Sequence, residues 1–231
     1  MEKTSQARSA QDRNAIRQRF LAVDTSNVAD VLDMMGLFNQ GLSSNFVPYP
    51  ASSGKLAGWA YTIRGQMTPY ELGGDPDKMK ACAGISDGDV SVWSGDGEGI
   101  CYFGELIAIG MKERGCVGSL VDGGIRDIRW IAEQNFPVFA SYRTPVQSIA
   151  RWKVNASQVA VSVRGATSHR VTVAPGDFIL GDEDGVLVIP GNVVDDVLVE
   201  AERLTEKESL IREELKQGMS LSVALAKYGH V

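Results

Sequence analysis

The sequence predicts an α/β domain with a C-terminal helical extension. Three observations support this fold class: strands and helices alternate through the middle of the chain, short strands separated by turn residues follow, and the chain ends in a charged helix. A length of 231 residues suits one large domain, and 44% hydrophobic residues are enough for a substantial core. No repeat or clear linker divides the chain. Residues 1–231 are therefore predicted to form one domain, with a lead-in at 1–22 and an extension at 192–231.

The first quarter of the chain predicts two helices followed by a strand. The polar residues 1–22 indicate a helical lead-in, and a second helix is predicted by helical spacing of the apolar residues Val28, Val31, Leu32 and Met35. Ser26 or Asn27 is expected to cap that helix, and Gly36 is expected to end it. A strand is predicted at 56–64.

The central segment carries the strand–helix alternation. A loop rich in Gly, Pro and Asp spans 68–88, and a glycine-laced connection spans 95–104. The predicted regular elements are, in order, a strand at 89–93, a helix from Glu105 to Gly115, a strand at 117–121 ended by Asp122-Gly123-Gly124, a helix at 126–135 and a strand from Pro137. This order favours parallel strand pairing with helices packed on the sheet.

The second half predicts a different pattern. Turn signals separate short strands at 158–163, 170–173, 178–180 and 186–189. A charged helix is then predicted at 192–217, with only a narrow apolar stripe. Such a helix needs another surface to hold it, for example a neighbouring subunit.

Charge and composition exclude several functions. The net charge of -6 gives no basic patch for nucleic acid, whose affinity comes largely from phosphate neutralisation. The three cysteines, Cys82, Cys101 and Cys116, lack metal-ligand spacing and are expected to be buried small hydrophobes. No apolar run reaches membrane length, and residues 1–19 lack the apolar core of a signal peptide. Cytoplasmic localisation is therefore the expectation.

Two glycine-flanked helix starts carry the candidate chemistry. Glu105 opens one predicted helix and Arg126-Asp127 opens the next. A helix N-terminus offers unpaired backbone N–H groups that suit a carboxylate or phosphate. Loops that follow successive parallel strands open on the same edge of a sheet. The sequence therefore predicts an arginine and two acids beside an anion-binding helix start.

These residue types suit a hard divalent cation. Magnesium and manganese prefer oxygen ligands, and magnesium typically uses one or two carboxylates with waters and substrate oxygens. Arg126 could neutralise an oxyanion bidentately. An Arg-Asp pair at a helix start is, however, often only a cap with a surface charge. From these residues alone, that structural interpretation is the more common one.

Other patterns point less clearly to a function. Gly95-Asp96-Gly97-Glu98-Gly99 lacks the third glycine of a dinucleotide loop, and neither His169 nor His230 neighbours a credible nucleophile. Lys112 and Lys153 look like ordinary exposed lysines rather than Schiff-base lysines. The acid run Asp182-Glu183-Asp184 before Gly185 is more typical of a turn than of a metal loop.

The spacing of Glu105, twenty further residues and Arg126-Asp127 resembles the signature of the 4-hydroxy-4-methyl-2-oxoglutarate / 4-carboxy-4-hydroxy-2-oxoadipate aldolases. Those enzymes share a fold with the regulator of ribonuclease activity A. The similarity covers residues 25–215 and includes the matching segments Gly58–Arg64, Gly104–Leu106, Val121–Asp127 and Pro175–Pro190. Several motifs in the right order are far more specific than one motif alone.

The resemblance implies a compact swivelling β/β/α-type sandwich and a metal-dependent class II pyruvate aldolase, with oxaloacetate decarboxylation as a related activity. It implies that Asp127 binds Mg²⁺, Mn²⁺ or Co²⁺ directly and that Glu105 holds a metal-bound water. Arg126 would steady the keto or enolate oxygen. The helix start at Gly104, Leu106 and Ile107 would receive the carboxylate of a 2-keto acid. A homotrimer or homohexamer is also implied, with the site near a subunit boundary.

Two features leave alternatives open. Family members commonly carry an acid where this chain has Trp130, so the natural substrate is open. They also use an acid from a neighbouring C-terminal helix, and either Glu206 or Glu208 lies in a suitable region. The resemblance also admits a non-catalytic binding protein like the ribonuclease regulator. The retained Glu105 and Arg126-Asp127 set favours an enzyme, acting on this or another hydroxylated keto acid.

Overall fold

A computed structural model describes residues 8–229; residues 1–7 and 230–231, which include His230, lie outside the described part. The helices of this part are α1 (Ala10–Phe20), α2 (Thr25–Met34), α3 (Pro76–Ala83), α4 (Glu105–Lys112), α5 (Ile128–Glu133), α6 (Val194–Lys216) and α7 (Leu221–Tyr228). Within residues 8–229, no helix is long and apolar enough to cross a membrane.

The strands of the same part are β1 (Val47–Tyr49), β2 (Leu56–Met67), β3 (Asp89–Ser94), β4 (Cys101–Phe103), β5 (Gly118–Ile125), β6 (Val138–Arg143), β7 (Trp152–Ser157), β8 (Val161–Arg164), β9 (Arg170–Val173), β10 (Phe178–Asp182) and β11 (Gly185–Ile189). Nine of them form one sheet in the order β1-β6-β5-β3-β2-β10-β11, with β4 added to β5 and β7 added to β2. Strands β8 and β9 form a separate hairpin.

The middle of the large sheet is parallel. Strand β2 pairs with β3, β3 with β5, and β5 with both β4 and β6, all in parallel. The outer pairs, including β10 with β2 and β11, are antiparallel. Both faces of the parallel region are covered, which explains why β3 and β5 are buried at every position.

The terminal helices cover one face of this sheet. Helix α6 packs against α1 and α2, and its buried residues are Val194, Val197, Leu198, Ala201 and Ile211. The prediction of strand–helix alternation followed by a helical extension is therefore confirmed at the level of elements. The predicted narrow stripe is also present, although within this chain it already has a surface to pack on.

Three predictions about local structure are wrong at the helices. Helix α2 begins at Thr25, before the predicted caps Ser26 and Asn27, because the buried carboxylate of Asp182 accepts hydrogen bonds from Thr25 N–H at 2.8 Å and from its hydroxyl at 2.6 Å. The segment predicted as a loop at 68–88 contains α3. Helix α5 begins at Ile128 rather than Arg126 and ends at Glu133.

The strand predictions also need correction. Strand β5 continues through Asp122-Gly123-Gly124 instead of ending there, and the predicted connection at 95–104 contains β4. Strand β7 at 152–157 was not predicted, and the strand expected at 158–163 begins only at Val161. A β-bulge between Val121 and Gly124 lets β5 continue beside β6 despite the two glycines.

Candidate active site

The parallel pairing of β4 with β5 brings the two predicted helix starts together. Strand β4 ends at Phe103 and leads into α4, and β5 ends at Ile125 and leads into Arg126-Asp127. The backbone N–H of Arg126 donates to the carbonyl of Phe103 at 3.1 Å. Because both strands run in the same direction, their following residues meet at one edge of the sheet, as predicted.

Asp127 adopts an unusual backbone conformation at the start of α5. Its φ of 61° and ψ of 34° lie in the left-handed region, which a non-glycine residue adopts at some energetic cost. The conformation directs its carboxylate towards α4, where Oδ2 accepts from the N–H of Glu105 at 3.3 Å and lies 3.6 Å from Nε of Arg126. Both contacts use Oδ2, so Oδ1 has no partner among the described residues.

The start of α4 leaves two backbone donors available. The N–H of Ala108 donates to the carbonyl of Gly104, and that of Glu105 donates to Asp127. The N–H groups of Leu106 and Ile107 precede the first intrahelical bond, and no described residue accepts from them. These two groups, which the resemblance assigned to a substrate carboxylate, therefore lie open at the cavity described next.

A cavity of about 320 Å³ opens beside these groups. Its wall includes Gly104, Leu106, Ile107, Arg126 and Asp127, five of the six predicted site residues. The sixth, Glu105, is half-buried beside the cavity and does not line it. The structure thus brings the predicted residues together, and Glu105 contributes its backbone N–H, which donates to the Asp127 carboxylate.

Gly104 is required for the close approach of α4 and Asp127. A Cβ atom at position 104 would lie 2.7 Å from Oδ2 of Asp127 and 3.4 Å from Cγ of Arg126. The backbone of Gly104 is extended, so its role is to leave space rather than to supply a glycine-specific conformation. The absence of a side chain at Gly104 therefore lets the Asp127 carboxylate lie against the backbone at the start of α4.

Sequence reasoning missed Lys78, which also lines the cavity. Its Nζ donates to the carbonyl of Tyr102 and lies 5.5 Å from the ring centroid of Trp93. Burial lowers the pKa of the Lys78 ammonium, and the nearby Arg126 guanidinium lowers that pKa further. The signal for its helix was present in the sequence: Asp75 followed by Pro76 is a typical helix N-cap and first-turn pair.

Asp75 fixes the start of α3 to the sheet. Its Oδ1 accepts from the N–H of Lys78 at 3.1 Å, and its Oδ2 accepts from the N–H of Val154 in β7 at 2.9 Å. The carboxylate is buried, so both bonds form in a region of low dielectric. One side chain thus serves as the N-cap of α3 and as its link to β7.

We expect Asp75→Ala to lower the free energy of unfolding by about 2–4 kcal/mol, because it removes the cap and leaves a buried N–H without an acceptor. Urea denaturation would measure this change. Asp77→Ala, in the exposed first turn of the same helix, is the matched control and should cost less than about 1 kcal/mol. Equal losses in the two variants would contradict the assigned role of Asp75.

The donor atoms at the cavity suit a hard cation held mainly by water and substrate. Asp127 is half-exposed with Oδ1 open, and Glu105 stands next to it. Among residues 8–229, no group of three or more His, Cys, Asp or Glu side chains could hold a metal. A closed zinc-type site is thus not formed by this part of the chain. Magnesium is commonly bound by one or two protein carboxylates together with water molecules, and Asp127 with the neighbouring Glu105 fits that pattern.

The remaining candidates have structural roles. In the 95–99 segment, a Cβ at Gly97 would meet the hydroxyl of Tyr102 at 2.6 Å, so this glycine makes room for an aromatic side chain. Lys112 donates to the carbonyl of Gln134 at 2.5 Å, and the Nζ of Lys153 lies 4.8 Å from the ring centroid of Tyr70. The acid run forms the predicted turn, in which Asp182 accepts from the N–H of Asp184.

Trp130, which replaces the expected acid, is 47% exposed on α5. The guanidinium of Arg129 lies 5.3 Å from its ring centroid. Trp130 is not part of the cavity wall. Within this chain, the replacement therefore leaves the Arg126-Asp127 pair intact and places an apolar ring on the outer surface of α5.

Fold and site together define an α/β protein with a ligand-sized cavity at the carboxyl edge of parallel strands. The model of the RraA-like family, described as Aldolase/RraA, matches residues 25–188. The chain belongs to this family. A relative from Halalkalibacterium halodurans, named as a candidate 4-hydroxy-4-methyl-2-oxoglutarate aldolase, is 32% identical over 186 residues, or 80% of this chain and 81% of that protein.

Two solved structures support the fold class. A protein from Pseudomonas syringae pv. tomato superposes with a TM-score of 0.82 at 24% identity, covering 99% of this chain and 98% of that one. RraAS2 of Streptomyces coelicolor, described as an unusual member of the RNase ES inhibitor RraA protein family, gives a TM-score of 0.73 at 22% identity over 90% and 98% of the two chains. The α/β fold that the resemblance implied is confirmed by these two neighbours.

Proposed function

We propose that this chain is a divalent-metal-dependent lyase that releases pyruvate from a 4-hydroxy-2-oxo acid such as 4-hydroxy-4-methyl-2-oxoglutarate. The observation that carries the proposal is the convergence of Arg126, Asp127 and the open N–H groups of Leu106 and Ile107 on one cavity. The name of the Halalkalibacterium halodurans relative supports the same reaction class.

Some residues of the cavity bind the substrate carboxylate, and others stabilise the charge that develops during the reaction. The N–H groups of Leu106 and Ile107 bind the carboxylate of the 2-oxo acid at the positive end of α4. When bound, a magnesium, manganese or cobalt ion held by Asp127 supplies Lewis-acid polarisation of the 2-oxo group. Arg126 donates to the 2-oxo oxygen, on which negative charge accumulates as the carbon–carbon bond breaks.

Proton transfer completes the proposed reaction. Glu105, at the cavity edge, accepts the proton of the distal hydroxyl through a water molecule and thereby promotes cleavage. Protonation of the enolate then gives pyruvate. Decarboxylation of oxaloacetate passes through the same enolate and requires the same charge stabilisation by Arg126, so oxaloacetate is a second expected substrate.

Assembly belongs to the same proposal. A homotrimer or homohexamer would place the C-terminal extension, residues 192–231, beside the cavity of a neighbouring copy, where Glu206 or Glu208 would reach the site. Glu208 lies 3.5 Å from Arg212 within its own helix. This ion pair at the helix surface contributes little energy and would not prevent Glu208 from binding a different partner.

Pyruvate release coupled to lactate dehydrogenase tests the proposal. We expect release from 4-hydroxy-4-methyl-2-oxoglutarate and oxaloacetate in the presence of Mg²⁺, loss of release with a chelator, and recovery when Mg²⁺ or Mn²⁺ is returned in excess. Recovery controls for damage caused by the chelator. Release that persists in the chelator would show that the metal part of the proposal is wrong.

The alternative is a non-catalytic binding protein, the class to which the description of the Streptomyces coelicolor neighbour refers. The open carboxylate and backbone donors of the cavity favour the lyase, because a protein–protein contact does not require them. Absence of pyruvate release from both substrates with Mg²⁺, Mn²⁺ and Co²⁺ would contradict the lyase and favour this alternative.

A further inference from the structure

Lys78 is a half-buried cation at the cavity that the proposed reaction does not use. It lies on α3, between β2 and β3, whereas Arg126 and Asp127 follow β5. The ring centroids of Trp93 and Trp152 lie 5.5 and 5.9 Å from its Nζ, so the ammonium of this cavity-lining residue lies beside two buried aromatic rings. Cation–π contacts stabilise an ammonium in such a place without satisfying its hydrogen bonds.

The Lys78 ammonium is only partly satisfied by the chain. It can donate three hydrogen bonds, and the Tyr102 carbonyl is its one acceptor among the described residues. No carboxylate of residues 8–229 lies within 4.0 Å of its Nζ. The nearby Asp75 already accepts from two backbone N–H groups. By contrast, Arg13 and Arg170 have carboxylate partners at 2.5 and 3.0 Å.

Lys78 and Arg126, which both line the cavity, are each hydrogen-bonded to β4. Nζ of Lys78 is bound to the carbonyl of Tyr102, and the backbone of Arg126 is bound to the carbonyl of Phe103. Both cations oppose the rise that burial causes in the pKa of the Cys101 thiol, which also lines the cavity. The charged side chains of the cavity wall are these two cations and two carboxylates, Asp127 and Asp75, of which Asp75 already accepts from two backbone N–H groups.

A partly desolvated ammonium with one hydrogen-bond acceptor lowers the stability of the folded chain unless a ligand supplies further acceptors. Burial lowers the pKa of Lys78, which means that the site disfavours the charged form in the absence of an anion. An apolar side chain at position 78 would pack against the two tryptophan rings with a smaller desolvation cost. An anionic group that enters the cavity would account for a lysine at this position.

We infer that Lys78 is a specificity-determining residue that binds a second carboxylate of the substrate and selects dicarboxylic over monocarboxylic 2-oxo acids. The inference rests on the proposed function, which places the first carboxylate at Leu106 and Ile107 and the 2-oxo oxygen at Arg126. The second carboxylate then extends along the cavity wall towards α3 and donates no proton; it accepts hydrogen bonds from the two free N–H positions of the Lys78 ammonium.

Calorimetric titration with two unreactive ligands of equal chain length tests the inference. 2-Oxoglutarate carries the second carboxylate, and 2-oxopentanoate carries a methyl group in its place. In the presence of Mg²⁺, we expect Lys78→Met to weaken 2-oxoglutarate binding by about tenfold or more and to change 2-oxopentanoate binding by less than about twofold. Lys80→Met, on the exposed side of α3, is the charge-matched control and should change neither.

The outcomes separate this inference from the proposed lyase activity. Equal weakening of both ligands, no weakening of either, or a wild type that does not prefer 2-oxoglutarate would overturn the role of Lys78. A wild type that releases no pyruvate but shows the Lys78-dependent preference would contradict the lyase and leave the subsite standing. Lys78→Gln provides a second variant if methionine does not fit between the tryptophan rings.

Discussion

Replacement of Asp127 by asparagine is expected to reduce the rate of pyruvate release by about a thousandfold, because it removes the carboxylate that would hold the cation and leaves Arg126 without its ionic partner. Asparagine tolerates the left-handed conformation of Asp127, so the backbone at the start of α5 should be preserved. The side chain of Asp127 makes no capping bond in α5, and the free energy of unfolding should change by less than about 1 kcal/mol.

Steady-state kinetics with the lactate dehydrogenase assay, together with urea denaturation, would measure both effects. Glu133→Gln is the matched control, because Glu133 lies in the same helix, has a 53% exposed side chain and forms a surface ion pair with Arg129 at 3.6 Å. It should retain full activity. A fully active Asp127→Asn enzyme would remove the central residue of the proposed mechanism.

Gly104→Ala is expected to lower activity by about a hundredfold while the protein remains folded. The new methyl group would lie 2.7 Å from Oδ2 of Asp127, so the carboxylate must move away from the start of α4. Displacements of about 1 Å in a reacting constellation can cost a hundredfold in rate. The extended backbone at position 104 accommodates alanine, and the change should therefore act through the position of Asp127.

Gly110→Ala provides a control in the same helix. A Cβ at position 110 would meet no atom within 4 Å, so alanine there should stabilise α4 by about 0.5–1 kcal/mol without altering activity. Rates for both variants, with circular dichroism to verify folding, would separate a local effect at Asp127 from a general effect on α4. Full activity of Gly104→Ala would show that the Asp127 carboxylate does not need its observed position.

The sequence predicted the alternation of elements well and their ends poorly. The strand predicted at 117–121 is visible because it consists of small and apolar residues, but the continuation of β5 through Asp122-Gly123-Gly124 depends on partners elsewhere. The buried Asp122 carboxylate lies 3.0 Å from NH1 of Arg170 and accepts from the N–H of Arg164 at 3.1 Å. Both residues lie more than forty positions away, so no local pattern could indicate that a polar segment remains in the sheet.

The candidate site was predictable where residues adjacent in sequence form it. Gly104, Arg126 and Asp127 stand at strand ends, and the rule that parallel strands end at one edge brings them together. Lys78 was missed for the opposite reason. Its segment is rich in Gly, Pro and Asp and reads as a loop, and α3 is stabilised by Asp75 through a bond to β7 that the local sequence does not encode.

Two parts of the cavity wall come from stretches of chain that are far apart in sequence. One is the pair of strand ends at β4 and β5, where a glycine, an arginine and an aspartate lie within a few ångströms of one another. The other is α3, which is joined to the sheet by Asp75 and Lys78 and packs on the core through Ala81. Substitutions in α3 can therefore change the charge and shape of one wall without moving the Arg126-Asp127 pair. Within such a scaffold, ligand preference can diverge among relatives while the chemistry at the sheet edge stays the same.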